Sequence, residues 1–115
     1  MPVVHDPGGE ARTLATTVDR AESMVEQSRG LMFRRSIPDD YALVFPFEEV
    51  GRRFIHMLFV AVSIDVVWVA NDEVQRVTTM HPWRSMGYAK ADTVLELPAG
   101  AAEGVETGDT VVVEP

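Results

Sequence analysis

The 115-residue chain contains no cysteine. Disulfides, thiolate nucleophiles, zinc–thiolate sites and iron–sulfur ligation are thereby excluded. Basic charge is also scarce. Lys90 is the one lysine, the remaining bases are arginines, and 18 acidic residues against 10 basic ones leave a net charge of −8. A binder of nucleic-acid backbone normally carries a basic face, so no nucleic-acid partner is expected. Acidic, lysine-poor composition fits a high-salt, halophilic cytoplasm, and it fits ordinary acidic solubility as well. Apolar runs long enough to span a bilayer are missing, and the opening MPVVHDPGGEARTL has neither the basic start nor the apolar run of a signal peptide. The expected location is cytoplasmic, with no membrane partner. Gly8-Gly9 and Gly100 lack the surroundings of a phosphate loop, and no nucleophile elbow is present. His5, His56 and His81 show no His-x-His or His-x-x-x-His spacing, so neither a metal nor a cofactor is expected.

Hydrophobic residues are plentiful, at 46%. That amount, in a chain of this length, predicts one packed domain over 1–115. Val3-Val4-His5 reads as a short strand, Asp6-Pro7-Gly8-Gly9 as a turn and 11–18 as a second strand. Asp19 is an N-cap candidate with Glu22 three residues on, and apolar residues from Ala21 recur at helical spacing up to Gly30. A helix over about 20–30 is predicted, followed by a turn at Ile37-Pro38-Asp39-Asp40.

Strands dominate from Tyr41. Residues 41–47 carry apolar side chains on both faces, as in a strand buried on both sides. Pro46 should weaken pairing, 48–51 reads as a connection, and 52–59 as another strand. Ile64–Ala70, Val74–Thr78 after an Asn71-Asp72 turn, Thr93–Leu97 and Thr110–Val113 complete the set. Residues 80–90 read as the longest irregular loop, and 99–105 as a short helical turn. The fold class expected is α+β, mostly β: a mixed or antiparallel sheet forming a sandwich or partly open barrel.

Several segments, taken in order, resemble one family. Gly30-Leu31-Met32-Phe33-Arg34 looks like its Gly-Leu-Met-x-Arg segment, Leu43-Val44-Phe45 like its apolar strand, and Ile64-Asp65-Val66-Val67 like its Pro-Leu-Asp-Ile strand. Tyr88 and Val94-Leu95-Glu96-Leu97-Pro98-Ala99-Gly100 resemble its late Tyr-Val-Leu-Glu-Leu-Pro-Ala-Gly segment, and Gly108-Asp109 its closing turn. The family is that of domain of unknown function 192 (DUF192). The resemblance implies a compact β-rich fold with a packed helix, and no reaction. Phe54-Ile55-His56-Met57 stands where the family has Phe-Trp-Met-Lys-Asn-Thr, so His56 replaces a tryptophan and Leu58-Phe59-Val60 replace its polar residues.

Six residues are candidates for chemistry: Arg34, His56, Asp65, Trp83, Tyr88 and Glu96. Asp65 lies in an apolar strand, where a carboxylate is costly unless paired. It is either a general base or, the favoured reading, a structural carboxylate that accepts backbone amides or pairs with an arginine. Arg34 is the expected partner, within salt-bridge reach of Asp65 or Glu96. Glu96 points opposite to Leu95 and Leu97. It is expected at the surface or in an ion pair, with paired-carboxylate glycoside chemistry a remote alternative. His56 is either a base or a hydrogen-bonded core residue. Trp83 and Tyr88 either stack on a ligand or cover the open end of the sheet core.

The function expected is a non-catalytic binding or accessory domain. Its cleft would lie near 80–90, floored by Asp65 and Arg34, and take a small polar molecule or a partner peptide. A small hydrolase or isomerase using Asp65 or His56 with Arg34 is the alternative; it requires those three to converge. A docking module acting through a sheet edge is the third. A monomer or weak dimer is expected.

Overall fold

The computed structural model describes residues 2–23, 26–27, 30–32 and 34–114. These form one mixed sheet of eight strands: β1 Val3–Asp6, β2 Arg12–Ala15, β3 Thr17–Arg20, β4 Tyr41–His56, β5 Ile64–Ala70, β6 Glu73–Met80, β7 Met86–Pro98 and β8 Thr110–Val113. The order across the sheet is β2-β1-β8-β6-β5-β7-β4-β3. Every pairing is antiparallel except β3 with β4. A single open sheet replaces the two-layer sandwich that short strands at close spacing allowed.

The two edge strands, β2 and β3, are separated in the chain by Thr16 alone. One residue cannot bridge a flat sheet eight strands wide, since strands lie about 4.8 Å apart. The sheet must therefore roll until its edges meet. Asp40 secures the meeting point. Its carbonyl accepts the amides of Thr16 and Thr17, and its Oδ2 accepts both hydroxyls at 2.6 and 2.8 Å. Those hydroxyls hold the Asp40 carboxyl below the usual aspartate range. The expected strand over 11–18 is thus two strands on opposite edges.

Rolling gives the sheet an inner and an outer apolar layer. Leu14, Val44, Val67, Leu95, Val105 and Val111 belong to the inner one, contributed by strands from both edges. Leu31, Tyr41, Phe45, Ile64, Trp68 and Val94 belong to the outer one. Strand β5 lies between them with all seven residues buried, which explains why it is apolar throughout except at Asp65.

Three other expectations change. Strand β4 runs through residues 48–51 without a break, although its pairing with β7 shifts between Pro46 and Gly51, where proline offers no amide hydrogen. The loop predicted over 80–90 is short, because Met86–Lys90 pair with Arg52–His56 as the first half of β7. Together these make a two-stranded arm. The helix expected over 20–30 is not an element of the described residues. Asp19 and Arg20 lie in β3, and Ala21 N donates to Val44 O. Residues 24, 25, 28 and 29 lie outside the described residues. Ser23 and Glu26 form a reciprocal capping pair, at 3.0 and 3.1 Å, around one helical turn at Glu26 and Gln27. Over 99–105 the chain makes successive i→i+3 turns rather than a helix.

The Asn71-Asp72 hairpin is as expected, with φ of 51° and 65°. Two consecutive positive φ values define a type I′ turn, whose second position favours glycine. Asp72→Gly is expected to add about 0.5 kcal/mol of stability. The check is a thermal unfolding midpoint roughly 2–4 °C higher; a lower one would refute the turn assignment.

Candidate functional site

Asp65 is 4% exposed and faces the inner layer. Its Oδ1 accepts the Thr79 hydroxyl at 2.7 Å, and its Oδ2 accepts the amides of Gly100 and Ala102 at 3.0 and 2.9 Å. Three donors account for a structural carboxylate that ties the 98–105 turns under β5.

Arg34 reaches neither Asp65 nor Glu96. Its Nη2 donates to the Tyr41 hydroxyl at 3.2 Å and lies 3.9 Å from Asp19 Oδ2, and its guanidinium sits over the Tyr41 ring. Tyr41 donates in turn to Asp19 at 2.9 Å. Burial, with the hydrogen bond to Asp19, pushes the Tyr41 hydroxyl up to about 12. Asp19 is free to take these donors because it belongs to a strand and caps no helix. The expected floor of Asp65 with Arg34 does not exist.

Glu96 is 4% exposed, on the outer layer's side of β7, and pairs with no arginine among the described residues. Burial alone pushes its carboxyl up to about 8. Its Oε1 has no hydrogen-bond partner among the described residues. The expectation of a water-facing or ion-paired Glu96 fails because Gly30 and its neighbours Leu31 and Met32 lie over this face. Gly30, with φ of 50°, passes so close that an added Cβ would lie 3.4 Å from Glu96 Oε1 and 3.4 Å from the Phe45 ring. A glycine suits both the backbone angle and the space.

Above Glu96 opens a cleft of about 420 Å³. It is lined by Leu31, Met32, Phe45, Phe47 and the Arg52–His56 stretch of β4. Arg53 is committed: its guanidinium covers the Phe47 ring at 3.9 Å and donates to the carbonyls of Ala91 and Glu49. Arg52 is exposed at the rim, over the Tyr88 ring at 5.1 Å. His56 is half-buried on the cleft wall, its Nδ1 accepting the Leu58 amide at 3.2 Å.

Of the six candidates, the structure brings His56 and Glu96 to one cleft. Asp65 lies on the other side of the sheet, Arg34 lies with Asp19 and Tyr41, and the convergence a hydrolase or isomerase would need is absent. Trp83 and Tyr88 cover no core. Tyr88 stands on the exposed face of the arm, and Trp83 in the 81–85 turn meets Phe59 edge-on at 5.4 Å. Phe59 and Trp83 both have positive φ, 60° and 72°. Holding bulky non-glycine residues there costs on the order of 1–3 kcal/mol each.

The DUF192 family model, described as Uncharacterized ACR, COG1430, matches residues 4–113. The chain belongs to the DUF192 family. It is 36% identical to a UPF0127 protein of Pyrococcus abyssi over 100 residues, covering 82% of this chain and 83% of that one. A UPF0127 protein of Thermococcus kodakarensis is 32% identical over 104 residues, covering 85% of this chain and 65% of the relative. The chain thus spans just under two thirds of that relative's length. Two crystal structures share the fold. One is a candidate transcription regulator from Sinorhizobium meliloti 1021, with TM-score 0.84, 24% identity and coverage of 96% of this chain and 90% of that one. The other is a protein of unknown function from Novosphingobium aromaticivorans DSM 12444, with TM-score 0.84, 23% identity and coverage of 97% and 84%. At those identities the likeness concerns the fold alone.

The segments that carry the DUF192 resemblance meet in space. Asp65 bonds Gly100, and Gly30 lies against Glu96. Sequence reasoning missed Gly30, Gln27 and Arg52 at the cleft. Gly30 carried a signal, a glycine closing a helical pattern, whereas its contact with Glu96 is long-range. His5 was missed as well. It is buried, its Nε2 lies 2.8 Å from Asp109 Oδ2, and this contact holds the Asp109 carboxyl below its usual range.

Proposed function

We propose that this DUF192 domain is a non-catalytic binding domain whose site is the Glu96 cleft. The observation that carries this reading is the Glu96 Oε1, buried and without a partner among the described residues, on the floor of an open cleft. Buried polar atoms are nearly always hydrogen-bonded, and exceptions often mark places where another molecule supplies the partner. With its carboxyl pushed up to about 8, Glu96 is a neutral acid at pH 7. It can then donate a hydrogen bond to an acceptor without the cost of burying an ion.

The walls indicate the rest of the ligand. Leu31, Phe45 and Phe47 favour an apolar body, and Arg52 at the rim favours a negative end. The ligand class is therefore a small amphiphilic organic acid that carries a second polar atom at its buried end. Thermal unfolding at pH 6.5 with hydroxyphenylacetate and hydroxyhexanoate, beside the matching amines, tests this. The acids should raise the midpoint, since a ligand at 100 times its Kd adds about 2.7 kcal/mol. The amines should not. Glu96→Leu should abolish the shift while the protein stays folded, and Arg52→Ala should reduce it. A panel in which acids have no effect, or act equally on Glu96→Leu, would end the proposal.

A further inference from the structure

The net charge of −8 conceals a sharp separation. Residues 50–64 and 74–91 hold half of the chain's ten basic side chains and none of its 18 acids. These stretches form the β4–β7 arm, the two turns at its tip and strand β6 beside it. The nearest acids along the arm, Glu49 and Asp92, lie at its root.

Among the described residues, the same arm and its tip carry the exposed large apolar side chains. Between Phe59, 47% exposed, and Met86, 64%, fall Phe54, Leu58, Trp83 and Tyr88. The register orders them. His56 lies opposite Met86, Phe54 opposite Tyr88, and Arg52 opposite Lys90, so these pairs succeed one another on one face of the arm. Leu58, Phe59 and Trp83 stand beyond them at the tip, where the Trp83 amide donates to Met57 O and the Met57 amide to Ser85 O. Moving from the tip toward the root, the surface passes from aliphatic and aromatic side chains to cations. Arg84 flanks the tip, with Arg52 and Lys90 behind it.

We propose that this tip docks on an anionic lipid surface, inserting Leu58, Trp83 and Met86 among the acyl chains while Arg84, Lys90 and Arg52 meet the headgroups. An apolar end followed by a belt of long cations matches the layering of a bilayer interface. Nucleic acid fits less well. Leu58 and Met86 cannot stack on bases, the Tyr88 ring is covered on one face by Arg52, and Phe59 and Trp83 meet edge to face. Glu49 and Asp92 stand behind the cations at the root, and charges more than a Debye length of about 8 Å from the docking surface are largely screened at physiological ionic strength.

The test is co-sedimentation of the protein with vesicles of phosphatidylcholine and phosphatidylglycerol in equal amounts, with pure phosphatidylcholine vesicles beside them. Partition should be at least tenfold stronger on the anionic vesicles and should collapse in 0.5 M salt. Because Trp68 is buried, a blue shift and loss of acrylamide quenching would report Trp83 entering lipid, a readout that needs no variant. Leu58→Ser with Trp83→Ser, and separately Arg84→Gln with Lys90→Gln, should each weaken partition tenfold or more in folded protein. Absence of partition on anionic vesicles, partition unaffected by both pairs of substitutions, or tighter binding of a single-stranded oligothymidylate would overturn the proposal. These readouts do not involve the Glu96 cleft, so either proposal can fail alone.

Discussion

Asp65→Ala is expected to remove about 3–5 kcal/mol of stability, seen as a fall of roughly 12 °C or more in the thermal midpoint. The carboxylate takes a hydroxyl from Thr79 and two amides from Gly100 and Ala102. Alanine leaves all three donors facing a cavity. The Ala102 position is buried, so water has little access to its amide. An unsatisfied buried donor costs about 1–3 kcal/mol. Domains of this size are stable by only about 5–15 kcal/mol, so the loss is a large share of the total.

Asp65→Asn separates geometry from charge. The asparagine carbonyl can occupy the Oδ2 position and accept both amides, while its NH₂ group donates to the Thr79 oxygen. Only the charge-assisted part of the bonds is lost, and the expected cost is about 1 kcal/mol. Chemical denaturation of both variants checks the order. An alanine variant within about 1 kcal/mol of the parent would show that the 98–105 turns are held by something other than this carboxylate. If Asp65 were instead a catalytic or ligand-binding group, the stability penalty would be small.

Local pattern was sufficient where local physics decides structure. The run Ile64–Ala70 is a fully buried strand because alternating positions face two apolar layers, and apolar residues at every position but Asp65 announce that. Asn71-Asp72 forms the hairpin turn its residue types favour. Pro46 marks the point where pairing shifts. The 20–30 segment shows how two local signals compete. Asp19 with Glu22 and Ser23 with Glu26 are overlapping capping patterns. The second one forms, because parallel pairing with Tyr41–Val44 draws Asp19 and Arg20 into β3. Nothing local to residues 19–26 records that pairing.

The site was legible in its members more than in its arrangement. Glu96 was assigned to the opposite face from Leu95 and Leu97, correctly. The rule that a strand charge faces water then failed, because Gly30, Leu31 and Met32 lie over that face. Trp83 and Tyr88 illustrate the converse. Large aromatics usually bury, but these two stand on an arm and its tip, exposed among the described residues. The whole-chain charge is likewise silent on distribution, since residues 50–64 and 74–91 together hold five cations and no acid.

Glu96 supplies the second large effect, a loss of stability with rising pH. Its carboxyl ordinarily titrates near 4.5, and burial in the fold pushes it up to about 8. Between those values the folded state holds a proton that the unfolded state has released, so stability falls as pH rises. The contribution is fully present below about pH 4.5, declines through neutrality, and is exhausted once the folded carboxyl ionises above about pH 8. A tenfold difference in proton affinity between the folded and unfolded chain is worth about 1.4 kcal/mol, which makes the whole decline on the order of 5 kcal/mol. Glu96→Gln keeps the shape and the neutral amide but cannot ionise. It should match the parent within about 1 kcal/mol at pH 5 and exceed it by several kcal/mol at pH 9. The informative quantity is the difference between the two proteins, in which contributions from every other group cancel. Urea unfolding across pH 5 to 9 measures it. Parallel profiles for parent and Glu96→Gln would mean that the folded carboxyl is already ionised at neutral pH, met by a cation or by water, and that the vacant oxygen beneath the cleft is not waiting for a ligand.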